Sequence, residues 1–393
     1  MTDTSPAFTS QGLRAGGVAV ADRSGPSVRL CAVGDFDFHA ETFVALMENG
    51  PRHIFSSVLP LLEPADIRVG NLETVLLGSP YTPLGPKAFL ISHRSAVDGL
   101  RLAGFDVLTF ANNHTMDGGP DGLRECLESI RDAGMQTAGA GLDLARARVP
   151  ARIVRNGISL RFHAYSFGMG QVAGKERAGC LDATRSSILR DLGEYGANGE
   201  IVVVSLHMDA EFQVAPSPER IRLCRELADH GVKVILCHHP HVVQGIEIHN
   251  GALIAYSLGN FVTPVSAYMR QHSDECHRSF VLNLDIDACG VRHVEVVPVI
   301  MDQEGRPVPA VAADRDDILR IVAERSRILG SSAEVRAIYR SMIREFTGSM
   351  FRNLKWGLAE RDWPRIRIYL DALAMTPVKR RWVRDCLFGY WRG

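Results

Sequence analysis

The first 27 residues contain no apolar run long enough for a signal peptide or a membrane span. They are polar and rich in Gly and Ser, so residues 1–27 are expected to be a flexible leader and the protein cytoplasmic. Charge of one sign is also missing: 44 basic residues face 45 acidic ones, and the net charge of −1 points to no partner in bulk. None of the eight cysteines forms a CxxC pair, which excludes a zinc ribbon or a thioredoxin-like motif. Scattered thiols fit a reducing compartment better than a disulfide scaffold. No internal repeat is present. What remains is an ordinary globular composition, 46% hydrophobic and 23% charged over 393 residues. That length suits two to three domains, or one large α/β domain with an appendage.

Short β-rich runs alternate with helical stretches. Strands are expected at 28–33, 67–70, 107–110, 201–206, 232–236, 253–256, 280–286 and 293–299. Helices are expected over 40–47, 94–103, 119–133 and 219–230, with a glycine-rich turn at 138–141. Continuous apolar strands separated by helices predict buried sheets covered by helices. From about Asp314 the pattern turns helical: Ile318, Ile321 and Val322 share one spacing, and Ile338, Met342, Ile343 and Phe346 another. The expected division is therefore a leader (1–27), a main domain (28–312) and a helical extension (313–393).

Five of these runs end in residues able to bind a metal: Asp35 with Asp37, Glu73, Asn113 with His114, His207, and His239 with His241. One histidine after a strand is ordinarily a surface residue, and Asp35 or Asn113 alone could be a turn former. Five such endings fit a shared site, because ligands of α/β folds collect at the carboxyl ends of strands. Carboxylate, amide oxygen and imidazole suit Mn, Mg, Zn or Fe. Two ions ~3.5–4 Å apart need a bridging carboxylate, and Glu73 is the candidate. Pro240 stiffens the turn between His239 and His241 by fixing its own φ. Among the remaining histidines, His39 and His238 come nearest to a site role.

The segments Gly34-Asp35, Gly70-Asn71-Leu72-Glu73, Ala111-Asn112-Asn113-His114 with Asp117 and Gly119, His207 with Glu211, His239-Pro240-His241, and Tyr256-Ser257-Leu258-Gly259-Asn260-Phe261 occur in this order. Together they resemble the CapA family of bacterial poly-γ-glutamate capsule proteins over roughly residues 28–300. The resemblance implies the four-layer α/β/β/α sandwich of calcineurin-like metallophosphoesterases. It also implies metal-ligand roles for Asp35, Glu73, Asn113, His207, His239 and His241, and a proton-donor role for His114. Glu211 and Asn260 match family motif residues of unassigned chemistry. The implied activity is that of a two-metal hydrolase, cleaving a phosphoester or a γ-glutamyl amide in capsule or exopolymer synthesis. The alternative is a non-catalytic accessory protein that binds an anionic polymer. Two departures stand out. Asp37 occupies the position of a superfamily histidine, which shifts the preferred ion toward Mg or Mn. Where many family members read HWGxE, this chain has His207-Met208-Asp209-Ala210-Glu211.

All four tryptophans, Trp356, Trp363, Trp382 and Trp391, lie near the C-terminus among ten Lys and Arg residues. This stretch can cap the main domain, or meet a protein partner, a polyanion, nucleic acid or an anionic membrane surface as a peripheral contact. Nothing else suggests nucleic acid.

Overall fold

The structure, a computed structural model, describes residues 8–14, 16–38, 48–78, 90–167, 171–195, 199–263, 273, 275–361, 363 and 366. The helix expected over 40–47, His39, Trp382 and Trp391 lie outside them. Two sheets dominate. The larger contains β1 (Val18–Ala19), β2 (Val28–Phe36), β3 (Ile67–Leu72), β6 (Val107–Thr109), β7 (Gln136–Ala138), β16 (Asn260–Val262), β17 (Arg278–Asp287), β18 (Gly290–Met301) and β19 (Pro307–Pro309). Its main path runs β1-β18-β17-β2-β3-β6-β7, with β2, β3, β6 and β7 mutually parallel. The smaller sheet has the order β14 (Ile246–His249), β15 (Ala252–Ala255), β13 (Val234–His238), β12 (Ile201–His207), β10 (Ile158–Ser166), β9 (Ala151–Arg155). Two short pairs, β4 (Val75–Leu77) with β5 (Ile91–His93) and β8 (Ala140–Gly141) with β11 (Gly179–Cys180), lie apart from the two main sheets.

Side-chain alternation along the strands builds three apolar layers. Val28, Leu30 and Ala32 of β2 meet Ile201 and Val203 of β12 and Val234 and Leu236 of β13 in the core between the sheets. The opposite face of β2, through Cys31 and Val33, packs on α2 (Leu59–Leu62), α3 (Ser95–Leu102) and α4 (Gly119–Asp132). The opposite face of β12 and β13, through Val202, Val204, Leu206, Ile235 and Cys237, packs on α6 (Arg185–Tyr195) and α7 (Pro218–Asp229). The short α5 (Leu144–Ala147) precedes β9. This is the expected four-layer α/β/β/α sandwich. Local signals agree with it. Leu123, Cys126 and Ile130 give α4 its buried stripe, and Pro120 sits in its first turn. Ser217 caps α7 by accepting from Arg220 N at 3.1 Å, and Pro218 follows it.

The expected flexible leader does not hold for its described part. α1 (Ser10–Arg14) and β1 form there, Val18 pairs with Val294, and Phe8, Leu13 and Val18 are buried in the inter-sheet core. A few well-spaced apolar residues dock this stretch on the sheet edge in spite of its polar composition. The expected boundary at 313 also does not separate two cores. α8 (Ala312–Leu329) places Ile318, Leu319, Ile321 and Val322 in the same inter-sheet core. α9 (Ser332–Ala359) follows and continues the C-terminal helical extension.

Candidate metal centre

The parallel strands of the two sheets end at one place, and register sets their terminal residues side by side. Asp35 pairs with Asn71 across β2 and β3, Asn260 pairs with Asp35, and His207 pairs with His238 across β12 and β13. β2 gets this close because residue 34 is glycine: a Cβ there would lie 2.0 Å from the Gly259 carbonyl oxygen. Gly259 itself has φ +77°, which glycine adopts without steric cost. The turn after β13 is bent further. His239 has φ 96° and His241 φ 58°, each a left-handed conformation that costs on the order of 1–3 kcal/mol in a non-glycine residue. Pro240 fixes only its own φ, so the turn is held by its neighbours: His239 N donates to Asp35 Oδ2 at 3.3 Å.

Glu73 is the centre of the cluster. Its carboxylate is fully buried, and neither oxygen has a hydrogen-bond partner. His207 Nε2 lies 3.5 Å from Glu73 Oε1, His114 Nε2 3.9 Å, and His241 Nε2 4.0 Å. Donor atoms of Glu73, His239 and His241 all fall within 4.8 Å of one another, a spacing that could hold a metal ion. Asp35 Oδ2 is 3.8 Å from His241 Nδ1, and His207 Nε2 donates to Asn113 Oδ1 at 2.6 Å. The structure thus brings Asp35, Glu73, Asn113, His207, His239 and His241 together. Asp37 sits beside them, buried, accepting from Thr263 Oγ1 at 3.1 Å; its negative charge acts on Glu73. Glu211 is an exposed residue of the partly buried loop after β12, close enough for its charge to act on Glu73 and His239.

Electrostatics follow from this crowding. Burial, then the charges of Asp35, Asp37, Glu211 and Asp117, push the Glu73 carboxyl well above its usual range. Burial would raise Asp35 too. The charge and hydrogen bond of His238, the charge of His241 and the hydrogen bond of the Asn71 amide outweigh that and hold it below its usual range. Burial and neighbouring imidazoles push His207 well below its ordinary value. Burial takes His239 down to about 4, although Glu211 opposes the shift. Both rings are therefore neutral near pH 7, the form that binds metal.

A ring of supporting residues orients the donors. Asn71 Nδ2 donates to Asp35 Oδ1 at 2.9 Å and sits 3.3 Å from His207 Nδ1. His238 Nδ1 donates to Asp35 Oδ1 at 2.8 Å. Asn260 Oδ1 accepts from His241 Nδ1 at 2.9 Å, which turns the other ring nitrogen, Nε2, toward Glu73. Asp117 Oδ2 accepts from His114 Nδ1 at 2.6 Å and from Leu90 N at 2.8 Å. Asn71 and Asp117 stood in the sequence motifs, but which atoms they touch emerges only from the fold.

A centre of buried carboxylates, an amide and imidazoles, built around an orphaned carboxylate, fits divalent ions. The sequence matches the family described as bacterial capsule synthesis protein PGA_cap over residues 29–265, more than half of the chain. The chain belongs to this family. It is 28% identical over 311 residues to the capsule biosynthesis protein CapA of Bacillus anthracis, covering 77% of this chain and 74% of that one. It is 30% identical over 266 residues to the PGA biosynthesis protein CapA of Bacillus subtilis (strain 168), covering 67% and 68%. Among solved structures it is similar to a 5'-nucleotidase precursor from Thermus thermophilus, with 15% identity, a TM-score of 0.43, and coverage of 80% of this chain and 60% of that one. Among the described residues, no helix is long and apolar enough to cross a membrane.

The departure from the family's HWGxE pattern now has a structural account. Asp209, at the glycine position, has φ 87°, a conformation glycine would take freely. Here the side chain compensates. Asp209 Oδ2 accepts from Ser217 N at 2.8 Å and lies 3.0 Å from Nε of the fully buried Arg220. Arg220 also donates to the Met208 carbonyl at 3.1 Å and to Gln244, and its guanidinium lies over the Tyr256 ring at 5.8 Å. In this PGA_cap member the buried network ties the Glu211 loop to the segments bearing the other motifs. No sequence signal marked Arg220, because an arginine on an amphipathic helix normally reads as a solvated residue.

Proposed function

We propose that this chain is a two-metal hydrolase of the phosphoesterase type serving capsule, poly-γ-glutamate or other exopolymer synthesis. The carrying observation is the Glu73 carboxylate, buried without a hydrogen-bond partner and ringed by imidazole nitrogens within 4.0 Å. An uncompensated buried carboxylate is costly unless a cation completes it. The names of the Bacillus relatives, a capsule biosynthesis protein and a PGA biosynthesis protein, support the pathway.

In this reading Asp35, Glu73, Asn113, His207, His239 and His241 would hold the ions, and Asp37 would add negative charge. Ions bound there supply Lewis-acid activation of a water nucleophile and of the scissile phosphoryl or acyl group. His114 handles the proton. Its Nδ1–H is committed to Asp117, so in the imidazolium form the Nε2 proton is the one available to a leaving group. Asp117 fixes the ring so that Nε2 points at the centre, and Asn260 does the same for His241.

The test is hydrolysis of bis(p-nitrophenyl) phosphate and of γ-glutamyl-p-nitroanilide with Mn2+ or Zn2+. The reading expects metal-dependent release of chromophore from at least one, lost in Glu73→Gln and reduced in His114→Ala. Tight binding of metal and of poly-γ-glutamate with no turnover of either probe would instead support the accessory-protein reading.

A further inference from the structure

The C-terminal extension carries a surface that the metal centre does not use. Helix α9 begins as a packed element: Tyr339, Ile343, Thr347 and Met350 are buried along one face. From residue 351 the character changes. Phe351 is 42% exposed, Trp356 47%, Leu358 60% and Trp363 64%, half of the large apolar side chains exposed among the described residues. They cluster within 13 residues, where apolar exposure on a protein surface is normally scattered. Arg352, Lys355 and Arg361 are exposed between them, against one exposed carboxylate, Glu360. Trp356 and Trp363 are not buried as they would be in a cap packed through its tryptophans.

Charge tells what would cover this face. From residue 352 onward the sequence has ten basic residues against four acidic ones, while the chain as a whole sums to −1. The extension is thus strongly basic on an otherwise acidic protein. Interfacial helices that lie on anionic bilayers combine these features: tryptophan and bulky apolar residues seated at headgroup depth, with Lys and Arg meeting the lipid phosphates. We infer that the 351–363 stretch of the extension is a peripheral docking surface for an anionic lipid bilayer. Phe351, Trp356, Leu358 and Trp363 enter the headgroup region, and Arg352, Lys355 and Arg361 pair with phosphates. The surface would hold the protein at the membrane face without spanning it.

All four tryptophans of the chain lie at or beyond residue 356, so intrinsic fluorescence reports on this extension without a label. The full-length protein is titrated with vesicles of phosphatidylcholine alone and of phosphatidylcholine with about one third phosphatidylglycerol. The expected result is a blue shift and co-sedimentation with the anionic vesicles, at least tenfold weaker with neutral ones, and falling steeply between about 0.1 and 0.5 M salt. Phe351→Ser with Leu358→Ser, and separately Arg352→Glu with Lys355→Glu, should each lower anionic-vesicle binding at least tenfold. Unchanged circular dichroism and metal content in these variants show that the fold persists. Absent vesicle binding, or equal binding to neutral and anionic vesicles, would overturn the proposal. So would binding to soluble poly-glutamate alone, lost in the same variants, which would assign the surface to the polymer.

Discussion

If Glu73 waits for a cation, then removing its charge should stabilise the metal-free protein. Burial, then the charges of Asp35, Asp37, Glu211 and Asp117, raise this carboxyl well above its usual range. Between its unfolded and folded pKa values the native state keeps a proton that the unfolded chain has released. Stability of the metal-free wild type therefore falls as pH rises through that interval. Glu73→Gln keeps the shape, removes the charge and adds an N–H able to donate to the imidazole nitrogens around it. A buried polar group left unsatisfied costs about 1–3 kcal/mol, and more when charged. The variant should thus be about 2–3 kcal/mol more stable than wild type at pH 8 with chelator present. The difference should vanish below about pH 4, where the glutamate is protonated in both states. Urea unfolding at the two pH values measures it. Saturating Mn2+ should reverse the order, because only the wild type gains binding energy, about 4.1 kcal/mol at a thousandfold excess over Kd. A metal-free Glu73→Gln protein destabilised by more than about 1 kcal/mol at pH 8 would mean the carboxylate already has its partner, and the reasoning would fail.

Three further outcomes follow from named contacts. Glu73→Ala should lower metal content far more than His114→Ala, since the proposed mechanism gives His114 to the substrate and Glu73 to the ions; equal loss in elemental analysis would contradict these roles. Asp117→Asn should lower turnover of an accepted probe about 10–100-fold at unchanged metal content, because it orients His114 without touching the ions. Arg220→Leu leaves the largely buried Asp209 carboxylate without its cation and with only the Ser217 N–H, so thermal and urea unfolding should show a loss of about 3–5 kcal/mol; a change within about 1 kcal/mol would show that the network holds nothing in place.

Much of the fold was legible because most central strands announce themselves; the interior strand β10, whose apolar run is broken by Arg161 and His163, was not expected. Ile201–His207 is an apolar run broken only by Ser205 before its terminal histidine, and its observed bounds differ from the expected ones by a single residue. The candidate site was legible for a related reason: parallel strands deliver their last residues to one place, so Asp35, Glu73, Asn113, His207 and His239 could be collected from separate segments before their contacts were known. Edges were harder. β9 exposes Val154 and alternates its burial, and β14 shows only four residues of pattern, so neither was expected as a strand. The leader was misjudged because three dispersed apolar residues outweighed its polar average. Supporting roles were harder still. That Asn260 serves His241, Asn71 serves Asp35, and Arg220 steadies Asp209 depends on neighbours between 11 and 36 residues away in sequence, which no local spacing encodes.

The central claim is that Glu73 completes a two-ion centre. Its most direct test is elemental analysis of protein equilibrated with Mn2+ or Zn2+ and freed of unbound metal, wild type beside Glu73→Gln. About two ions per wild-type chain, with at most one weakly held ion in the variant, is the predicted result. No bound metal in the wild type, or equal metal in both proteins, would contradict the account.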